Sequence, residues 1–310
     1  MENAILFGNG LNRIGGNGIS WEDLLKSLSS IENLPSNSNT LNYECIYLDT
    51  CNDGDSCEKE DSLGNEYALK KRIAEACSSF HSHSIYEELL KLPVDVFLTT
   101  NYDGVMDRTL EHAGYTLDKA NSCVVESIYS IRRNHTFVSD TNGKSIKRVF
   151  PIHGEYAAPK TIMLGYDHYC GSLGKLDDFF KGKYVYIQDE HTVKLPRLLE
   201  RLSNVTEKQY NVGAYWPDYF FTYNVHIIGL GLELVESDLW WVLDKRARYK
   251  QLNKNIVNHI YYYGTPNESI SKLLDAFGVN VVRAKVRPSQ DNAAWIEAYS
   301  WMLDEMRKKL

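Results

Sequence analysis

Four segments of the chain place hydrogen-bonding side chains directly after a short apolar run. They are GNGLN at Gly8–Asn12, TTNYD at Thr99–Asp103, PIHGE at Pro151–Glu155 and GLGLELVESD at Gly229–Asp238. Amides, a carboxylate and an imidazole can orient a polar ligand and move protons. Glycines let the main chain approach a ligand closely, and a helix start offers free N–H groups to a phosphate. Together the four segments predict a nucleotide site that carries chemistry.

Each of these segments follows a predicted strand, which decides whether they can meet. The predicted strands, all near-continuous apolar runs, are Ala4–Phe7, Val94–Leu98, Arg148–Ile152, Val225–Gly229, Asn258–Tyr262 and Val279–Arg283. Helical patterns follow most of them, and such alternation is typical of a parallel, doubly wound sheet. Ligands of open parallel sheets bind beyond the carboxyl ends of the strands. We therefore predict a Rossmann-like α/β fold of about six strands, with the polar segments at one edge.

Two stretches depart from the alternation of strands and helices. Residues 34–92 begin with the low-complexity SNSNT, turn acidic and then become helical, whereas residues 164–224 are rich in tyrosine. We predict a single domain over residues 1–310 in which both stretches are insertions. The first, 34–92, is expected to be mostly helical and lid-like, and the second, 164–224, to lie near the pocket.

The composition is that of an ordinary globular protein, with 310 residues, 43% of them hydrophobic and 24% charged. The formal net charge of −7 argues against a nucleic-acid-binding surface, which is usually basic. No apolar run approaches the roughly 20 residues of a membrane-spanning helix. The N-terminal MENAILFGNG also lacks the basic and apolar regions of a secretory signal. We therefore expect a cytoplasmic protein without direct nucleic-acid binding or membrane contact.

Several standard site motifs are missing from the sequence. The cysteines at positions 45, 51, 57, 77, 123 and 170 form no CxxC pair, so neither a zinc ribbon nor a thioredoxin-like site is supported. GNGLNRIGG does not match G-x-G-x-x-G, because Arg13 occupies the third glycine position, and no P-loop motif occurs. The segment Asp49–Glu60 resembles a calcium loop but places Cys51 at a ligand position. We expect no metal.

TTNYD and PIHG, in this order along the chain, resemble motifs of the sirtuin superfamily and, more closely, of its bacterial antiphage-defence branch. The turn at Gly8–Asn12, TIMLGYDHY at Thr161–Tyr169 and the late GLGL fit the same pattern, which extends to about Arg283. Protein-deacylating sirtuins carry two CxxC pairs, and a small hydroxyl residue between the late glycine and leucine; this chain has neither. The resemblance therefore implies an NAD+ hydrolase rather than a protein deacylase.

The resemblance also implies residue roles. Asn101 would hold the nicotinamide ribose and the attacking water, and His153 would be the general base. Asp103 would contact the nicotinamide carboxamide or the ribose. The alternatives from the residues themselves are a turn for Asn101 and a helix start for Asp103 and Asp238. The NAD-binding residues implied by the match are Gly8, Asn9, Gly10, Asn12, Thr100, Tyr102, Asp103, Gly229, Gly231, Leu232 and Asp238.

By the same resemblance, we expect cleavage of NAD+ to nicotinamide and ADP-ribose, or to a cyclised product, by a phage-triggered effector that depletes cellular NAD+. NAD+ is then a substrate, and no metal is required to break an N-glycosidic bond through a cation-like ribose. We expect a homo-oligomer, activated by assembly, by a partner protein or by a phage-derived trigger. Three alternatives stay open: a deacylase of the same fold, a nucleotide-binding sensor without turnover and, ranked last, a dehydrogenase.

Overall fold

The structure is a computed structural model that describes the chain except for residues 15–17, 30, 32–33, 36–38, 53–61, 124–127, 141–144, 189, 204–213 and 285–291. The segment resembling a calcium loop, Asp49–Glu60, lies largely outside the described residues.

The described strands are β1 Asn3–Phe7, β2 Val96–Thr99, β3 Thr116–Leu117, β4 His135–Ser139, β5 Ser145–Pro151, β6 Val185–Gln188, β7 His191–Lys194, β8 Asn224–Ile228, β9 Ile260–Gly264 and β10 Val279–Arg283. The described α-helices are α1 Trp21–Leu28, α2 Asn39–Asn52, α3 Ser62–Ser78, α4 Ser84–Leu90, α5 Val105–His112, α6 Tyr166–Lys181, α7 Leu198–Ser203, α8 Trp216–Thr222, α9 Ser237–Leu252, α10 Glu268–Ala276 and α11 Asn292–Arg307. None of the described helices is both long enough and apolar enough to cross a membrane.

Eight of the described strands form one sheet in the order β10-β9-β8-β1-β2-β5-β4-β3. The strands from β10 to β5 run parallel, and β4 and β3 add an antiparallel edge. Each parallel strand overlaps one predicted from the sequence, so the Rossmann-like, doubly wound prediction is confirmed. The antiparallel edge and the separate β6–β7 hairpin were not predicted, because their short, partly exposed strands lack a continuous apolar run.

The direction in which the chain crosses the sheet reverses between β1 and β8. From β1 the chain continues through β2 and β5 on one side, and through β8, β9 and β10 on the other. Phe7, at the end of β1, is paired in register with Thr99 of β2 and Ile228 of β8. The loops that follow these strands therefore start side by side and form the crevice in which open α/β sheets bind ligands.

Alternate residues of the central strand pack into separate cores on the two faces of the sheet. In β1, Ala4 and Leu6 pack with side chains of α6, α8 and α9, whereas Ile5 and Phe7 pack with side chains of α4, α5 and α11. Since successive side chains of a strand point to opposite faces, a strand covered on both faces needs a continuous apolar run. Helices on both faces thus hold the strand ends in place.

Helices α1, α2 and α3 form a third core beside the ends of β2 and β5. Their apolar side chains pack around Tyr102, Ile162 and Leu164. The cap of α1 fixes where this helical layer begins, because Ser20 Oγ accepts the N–H of Asp23 at 3.0 Å. Residues of α1 and α2 line the cavity described below, and a lid-like role for residues 34–92 stays a prediction. The second irregular stretch, 164–224, carries α6, the β6–β7 hairpin, α7 and α8. That both stretches are insertions stays a prediction.

Candidate active site

A cavity of about 940 Å³ lies at the carboxyl edge of the sheet, over the crevice between β1 and β8. Loops after β1, β2, β5, β8 and β9 line it, together with residues of α1, α2 and α11. Its volume falls near the top of the usual range for ligand sites, about 300–1,000 Å³, and suits a dinucleotide. The predicted residues that line it are Asn9, Gly10, Thr100, Tyr102, His153, Gly229, Gly231 and Leu232. The predicted residues that do not are Gly8, Asn12, Asn101, Asp103 and Asp238.

The first and last polar segments are joined through their main chains. The Gly10 N–H donates to the Gly229 carbonyl at 2.8 Å. A Cβ at Gly10 would lie 2.6 Å from that oxygen, and Gly229 has a φ of +64°, which glycine adopts most easily. A Cβ at Gly8 would in turn lie 2.6 Å from the Leu230 side chain. Close packing of the two loops is therefore a sufficient reason for glycine at positions 8, 10 and 229, with or without a bound ligand.

His153 lies on the cavity wall and is held by a buried carboxylate. Its Nε2 lies 3.0 Å from Asp238 Oδ2, and both side chains are buried. Asp238 also accepts hydrogen bonds from the Leu239 N–H at 2.9 Å and from Ser172 Oγ at 3.3 Å. The Tyr169 ring packs perpendicular to the imidazole, with 5.6 Å between ring centres. Asp238 is thus both near the start of α9 and the partner of His153.

The contact between His153 and Asp238 shifts the pKa of each. Burial lowers the pKa of His153, but the Asp238 carboxylate outweighs burial and leaves this pKa raised above its ordinary value. Burial raises the pKa of Asp238, but attraction to His153 and the hydrogen bonds outweigh it and leave this pKa lowered. Because Asp238 occupies Nε2, Nδ1 is the nitrogen available to take a proton from the cavity. The pair can therefore act as an oriented general base.

Gly154 fixes the turn that follows His153. Its φ is +101°, and a Cβ there would lie 2.1 Å from the Thr161 carbonyl oxygen. The Met163 N–H donates to the His153 carbonyl at 2.9 Å, which holds the same turn from the other side. Glycine is therefore required beside the histidine, which gives the His-Gly pair in the sequence a structural reason.

Asn101 faces a second cavity of about 70 Å³ rather than the large one. Tyr102 lines both cavities and lies between them. Asn101 is buried; its Nδ2 reaches Tyr86 Oη at 3.5 Å, and its Oδ1 has no hydrogen-bond partner among the described residues. A buried amide oxygen without a partner is unfavourable, and this cavity is large enough for several water molecules. Asn101 and His153 therefore lie in neighbouring cavities.

Asn12 and Asp103 form a buried network beside the second cavity. Asn12 Nδ2 donates to Asp103 Oδ2 at 2.6 Å, and the Val105 N–H donates to Asp103 Oδ1 at 2.8 Å. Tyr86 Oη donates to Asn12 Oδ1 at 2.7 Å. Burial raises the pKa of Asp103. The Asp103 carboxylate thus accepts a hydrogen bond from the first turn of α5, which was the alternative role that the sequence indicated. The NAD contacts predicted for Asn12 and Asp103 stay predictions.

Several lining residues were not identified from the sequence. They are Arg13, Trp21, Glu22, Tyr169, Glu233, Glu236, Tyr262, Trp295 and Tyr299. Tyr169 and Glu236 stand inside TIMLGYDHY and GLGLELVESD, so those motifs could have suggested them. Trp295 and Tyr299 lie on α11, where apolar residues at helical spacing indicate only a core-facing side. Within the described part of the chain, no three His, Cys, Asp or Glu side chains are grouped as a metal site would require.

Comparisons with known proteins bear on this edge of the sheet. Residues 95–204 match the protein family described as a SIR2-like domain, a segment that includes Asn101 and His153. The chain is also 24% identical, over 168 residues, to the NAD(+) hydrolase ThsA of Acinetobacter baumannii (strain 532279). The match covers 54% of this chain and 30% of that protein. The chain thus spans about a third of the length of the relative it matches.

Proposed function

We propose that this chain, whose residues 95–204 match the SIR2-like domain family, hydrolyses NAD+ to nicotinamide and ADP-ribose. The observation that carries the proposal is the buried His153–Asp238 pair on the wall of a cavity of about 940 Å³. The NAD(+) hydrolase activity for which the ThsA relative is named supports the same reaction. The position of the cavity at the reversal of the strand order supports a nucleotide as the ligand.

The chemistry requires a base but no acid for the leaving group. When the bond between the ribose carbon and the pyridinium nitrogen breaks, its electron pair stays on nitrogen, so nicotinamide leaves as a neutral molecule. The ribose takes on positive charge, and a water molecule adds to its anomeric carbon. His153 Nδ1 accepts the proton that this water loses, and Asp238 stabilises the imidazolium that results.

Asn101 has a role in this scheme through the second cavity. Its Oδ1 is buried and lacks a partner among the described residues, so it can accept a hydrogen bond from water or from a ribose hydroxyl. The second cavity adjoins the large one at Tyr102. We propose that water held there by Asn101 is the nucleophile and that His153 acts on it from the large-cavity side.

The rest of the large cavity is suited to the diphosphate and the adenosine. The glycine turns at Gly10 and Gly229 bring main chain to the cavity, and Arg13 supplies a positive charge beside them. Trp295 and Tyr299 stack on each other with 5.6 Å between ring centres and line the same cavity. A stacked aromatic pair of this kind suits a flat base such as adenine.

We extend the proposal to the biological role that the resemblance implies. Cleavage that is released by phage infection would deplete cellular NAD+ in a defence response. Control would come from assembly into a homo-oligomer, from a partner protein or from a phage-derived trigger. Induced expression with and without phage challenge, followed by measurement of total NAD+, tests this role. NAD+ that stays constant under challenge would contradict it.

The reaction itself is tested by identifying the products. We expect purified protein incubated with NAD+ to yield nicotinamide and ADP-ribose in equal amounts, measured by liquid chromatography and mass spectrometry. A cyclic product would keep the bond cleavage but replace hydrolysis by cyclisation. Acyl transfer from an acetyl-lysine peptide, with no cleavage in its absence, would identify a deacylase. Binding of NAD+ without any product would favour the sensor over the enzyme.

A further inference from the structure

Glu236 is a carboxylate of the cavity wall that the proposed reaction does not use. It stands in the loop between β8 and α9 and lines the large cavity together with His153. Its Oε2 accepts the N–H of Glu233 at 3.1 Å, which holds the side chain in place. Asp238, the partner of His153, follows two residues later at the start of α9. This stretch of chain therefore presents one carboxylate to the imidazole and another to the cavity.

Titratable groups from several elements face Glu236. They are Glu233 on its own loop, Asp238 on α9, His153 after β5, Tyr102 after β2, Tyr169 on α6 and Tyr262 on β9. The set contains two carboxylates, and no lysine or arginine within the described part of the chain forms an ion pair with Glu236. The positive charge that the protein itself brings to Glu236 comes from the His153 imidazole, and a cationic ligand would add to it.

The surroundings make Glu236 unusually easy to protonate. Burial raises the pKa of Glu236 to about 8; Asp238 and Glu233 add to the increase, and His153 opposes it. A carboxyl group with such a pKa on the wall of a ligand cavity is typical of a functional site. A cation beside it would favour the ionised form and release the proton.

We propose that Glu236 is the substrate-binding carboxylate that contacts the positively charged nicotinamide end of NAD+, an assignment that rests on the proposed function for the identity of the ligand. The geometry fits, because the Glu236 side chain shares the cavity wall with His153, which acts on the neighbouring ribose. The pyridinium ring carries the positive charge in NAD+, and the reduced ring of NADH is neutral. The two dinucleotides therefore differ in the feature that Glu236 would recognise.

The experiment compares binding of NAD+ and NADH by calorimetry between pH 6 and pH 9. Asn101→Ala serves as the parent protein, so that turnover does not consume the ligand. We expect the parent to bind NAD+ about 10-fold more tightly than NADH at pH 9. We also expect its NAD+ affinity to rise with pH, because Glu236 must lose its proton, while its NADH affinity stays flat.

Glu236→Gln, added to this parent, should remove the preference for NAD+ and most of the pH dependence. Any dependence that remains reports on His153. Asp244→Asn is the matched control: Asp244 lies on α9 outside the lining of the cavity and pairs with Arg248 at 2.8 Å, so the preference should persist. Equal affinities in the parent, a preference that survives Glu236→Gln, or no binding of either dinucleotide would overturn the proposal.

The two proposals can fail separately. In one case the natural sequence releases no nicotinamide, yet the Asn101→Ala parent prefers NAD+ and loses this preference with Glu236→Gln. The hydrolase proposal then fails, and the assignment of Glu236 stands. Should nicotinamide be released but NAD+ and NADH bind alike, the assignment fails and the hydrolase stands.

Discussion

The two cavities that meet at Tyr102 hold their polar side chains in different states. In the large cavity, His153 is fixed through Nε2 by the buried carboxylate of Asp238. In the second cavity, the Oδ1 of Asn101 has no partner among the described residues. A further histidine of the second cavity, His135, contacts Asp107 through Nδ1 and lies 3.0 Å from a Glu155 oxygen through Nε2.

This difference separates groups prepared for chemistry from groups that hold the fold. A general base must be oriented before the substrate arrives, so its orienting partner belongs to the protein. An amide that binds water or a ribose hydroxyl receives its hydrogen bond from that ligand, so its oxygen has no partner within the protein beforehand. A histidine with a carboxylate on each nitrogen has neither nitrogen left for a reaction. We therefore infer that His153 and Asn101 serve catalysis and that His135 serves stability.

Replacing Asn101 should give the largest loss of activity with little loss of stability. We expect Asn101→Ala to slow nicotinamide release about 10³-fold, as for a lost transition-state hydrogen bond. The free energy of unfolding in urea should hardly change, because the only hydrogen bond that the side chain makes among the described residues is a long one of 3.5 Å to Tyr86.

Asn12→Ala is the matched control for Asn101→Ala. It removes hydrogen bonds to Asp103 and Tyr86 and should lower the free energy of unfolding by about 2 kcal/mol. Equal destabilisation by the two variants, or normal turnover by Asn101→Ala, would remove the distinction between an open amide and a structural one.

Gly154→Ala tests whether the turn after His153 is as rigid as its backbone suggests. The substitution should lower the free energy of unfolding by about 3 kcal/mol, because φ at this position is +101° and the new Cβ would lie 2.1 Å from the Thr161 carbonyl oxygen. Gly174→Ala is the control, because Gly174 lies in α6 and a Cβ there meets nothing within 4 Å. That variant should be about 1 kcal/mol more stable, through its better helix propensity. Similar stabilities of the two variants in urea would contradict the strained turn.

Asp238→Asn should sharpen the role assigned to the large-cavity pair. An amide at this position can donate to His153 Nε2, which places the imidazole proton on Nδ1 and removes the base. We expect about a 10²-fold loss of activity. Because the lost carboxylate normally raises the pKa of His153, the acid limb of the remaining activity should move to lower pH.

Asp218→Asn provides the comparison for that pH profile. Asp218 is also buried, and its carboxylate lies 2.7 Å from the guanidinium of Arg201. Neither residue lines the large cavity. Its replacement should destabilise the fold without moving the acid limb. An acid limb that moves in both variants, or in neither, would argue against His153 as the group that titrates.

His135→Gln should have the smallest effect, confined to stability and dependent on pH. Burial lowers the pKa of His135, but Asp107 and Glu155 outweigh burial and raise it to about 10. The extra stability of a raised histidine pKa is complete below the unfolded value near 6.5 and is lost as pH rises towards 10. The wild type should exceed the variant by about 2 kcal/mol at pH 6 and converge on it by pH 10. A gap that is constant with pH would show that packing, rather than charge, stabilises this site.

The parallel strands and the edge that holds the site could be predicted because apolar runs and polar strand ends are local features. All six predicted strands exist, and their carboxyl ends place His153, Thr100 and Gly229 on one cavity. The match to a SIR2-like domain covers Thr100 and His153 among these residues. Strands β3 and β4 were not predicted because polar residues flank or interrupt their apolar residues and leave no continuous apolar run.

The pairing of side chains within the site could not be predicted from the sequence. His153 and Asp238 are 85 residues apart, and β1 and β2 lie between their strands. The sequence therefore indicated that Asp238 lies in the pocket or starts a helix, but it gave no sign that Asp238 contacts the His153 imidazole. The direction of Asn101 was equally hidden, because the side chains around Tyr102 are set by packing against α1, α2 and α3.

The most direct measurement is nicotinamide release from NAD+ by the wild type and His153→Ala, at low and high protein concentration, with NAD+ binding measured in parallel. We predict release by the wild type and about a 10³-fold lower rate for His153→Ala at similar NAD+ affinity. A rate that rises more steeply than protein concentration would indicate activation by assembly. Equal rates for the two proteins would contradict His153 as the base, and bound NAD+ that neither protein cleaves would contradict the hydrolase.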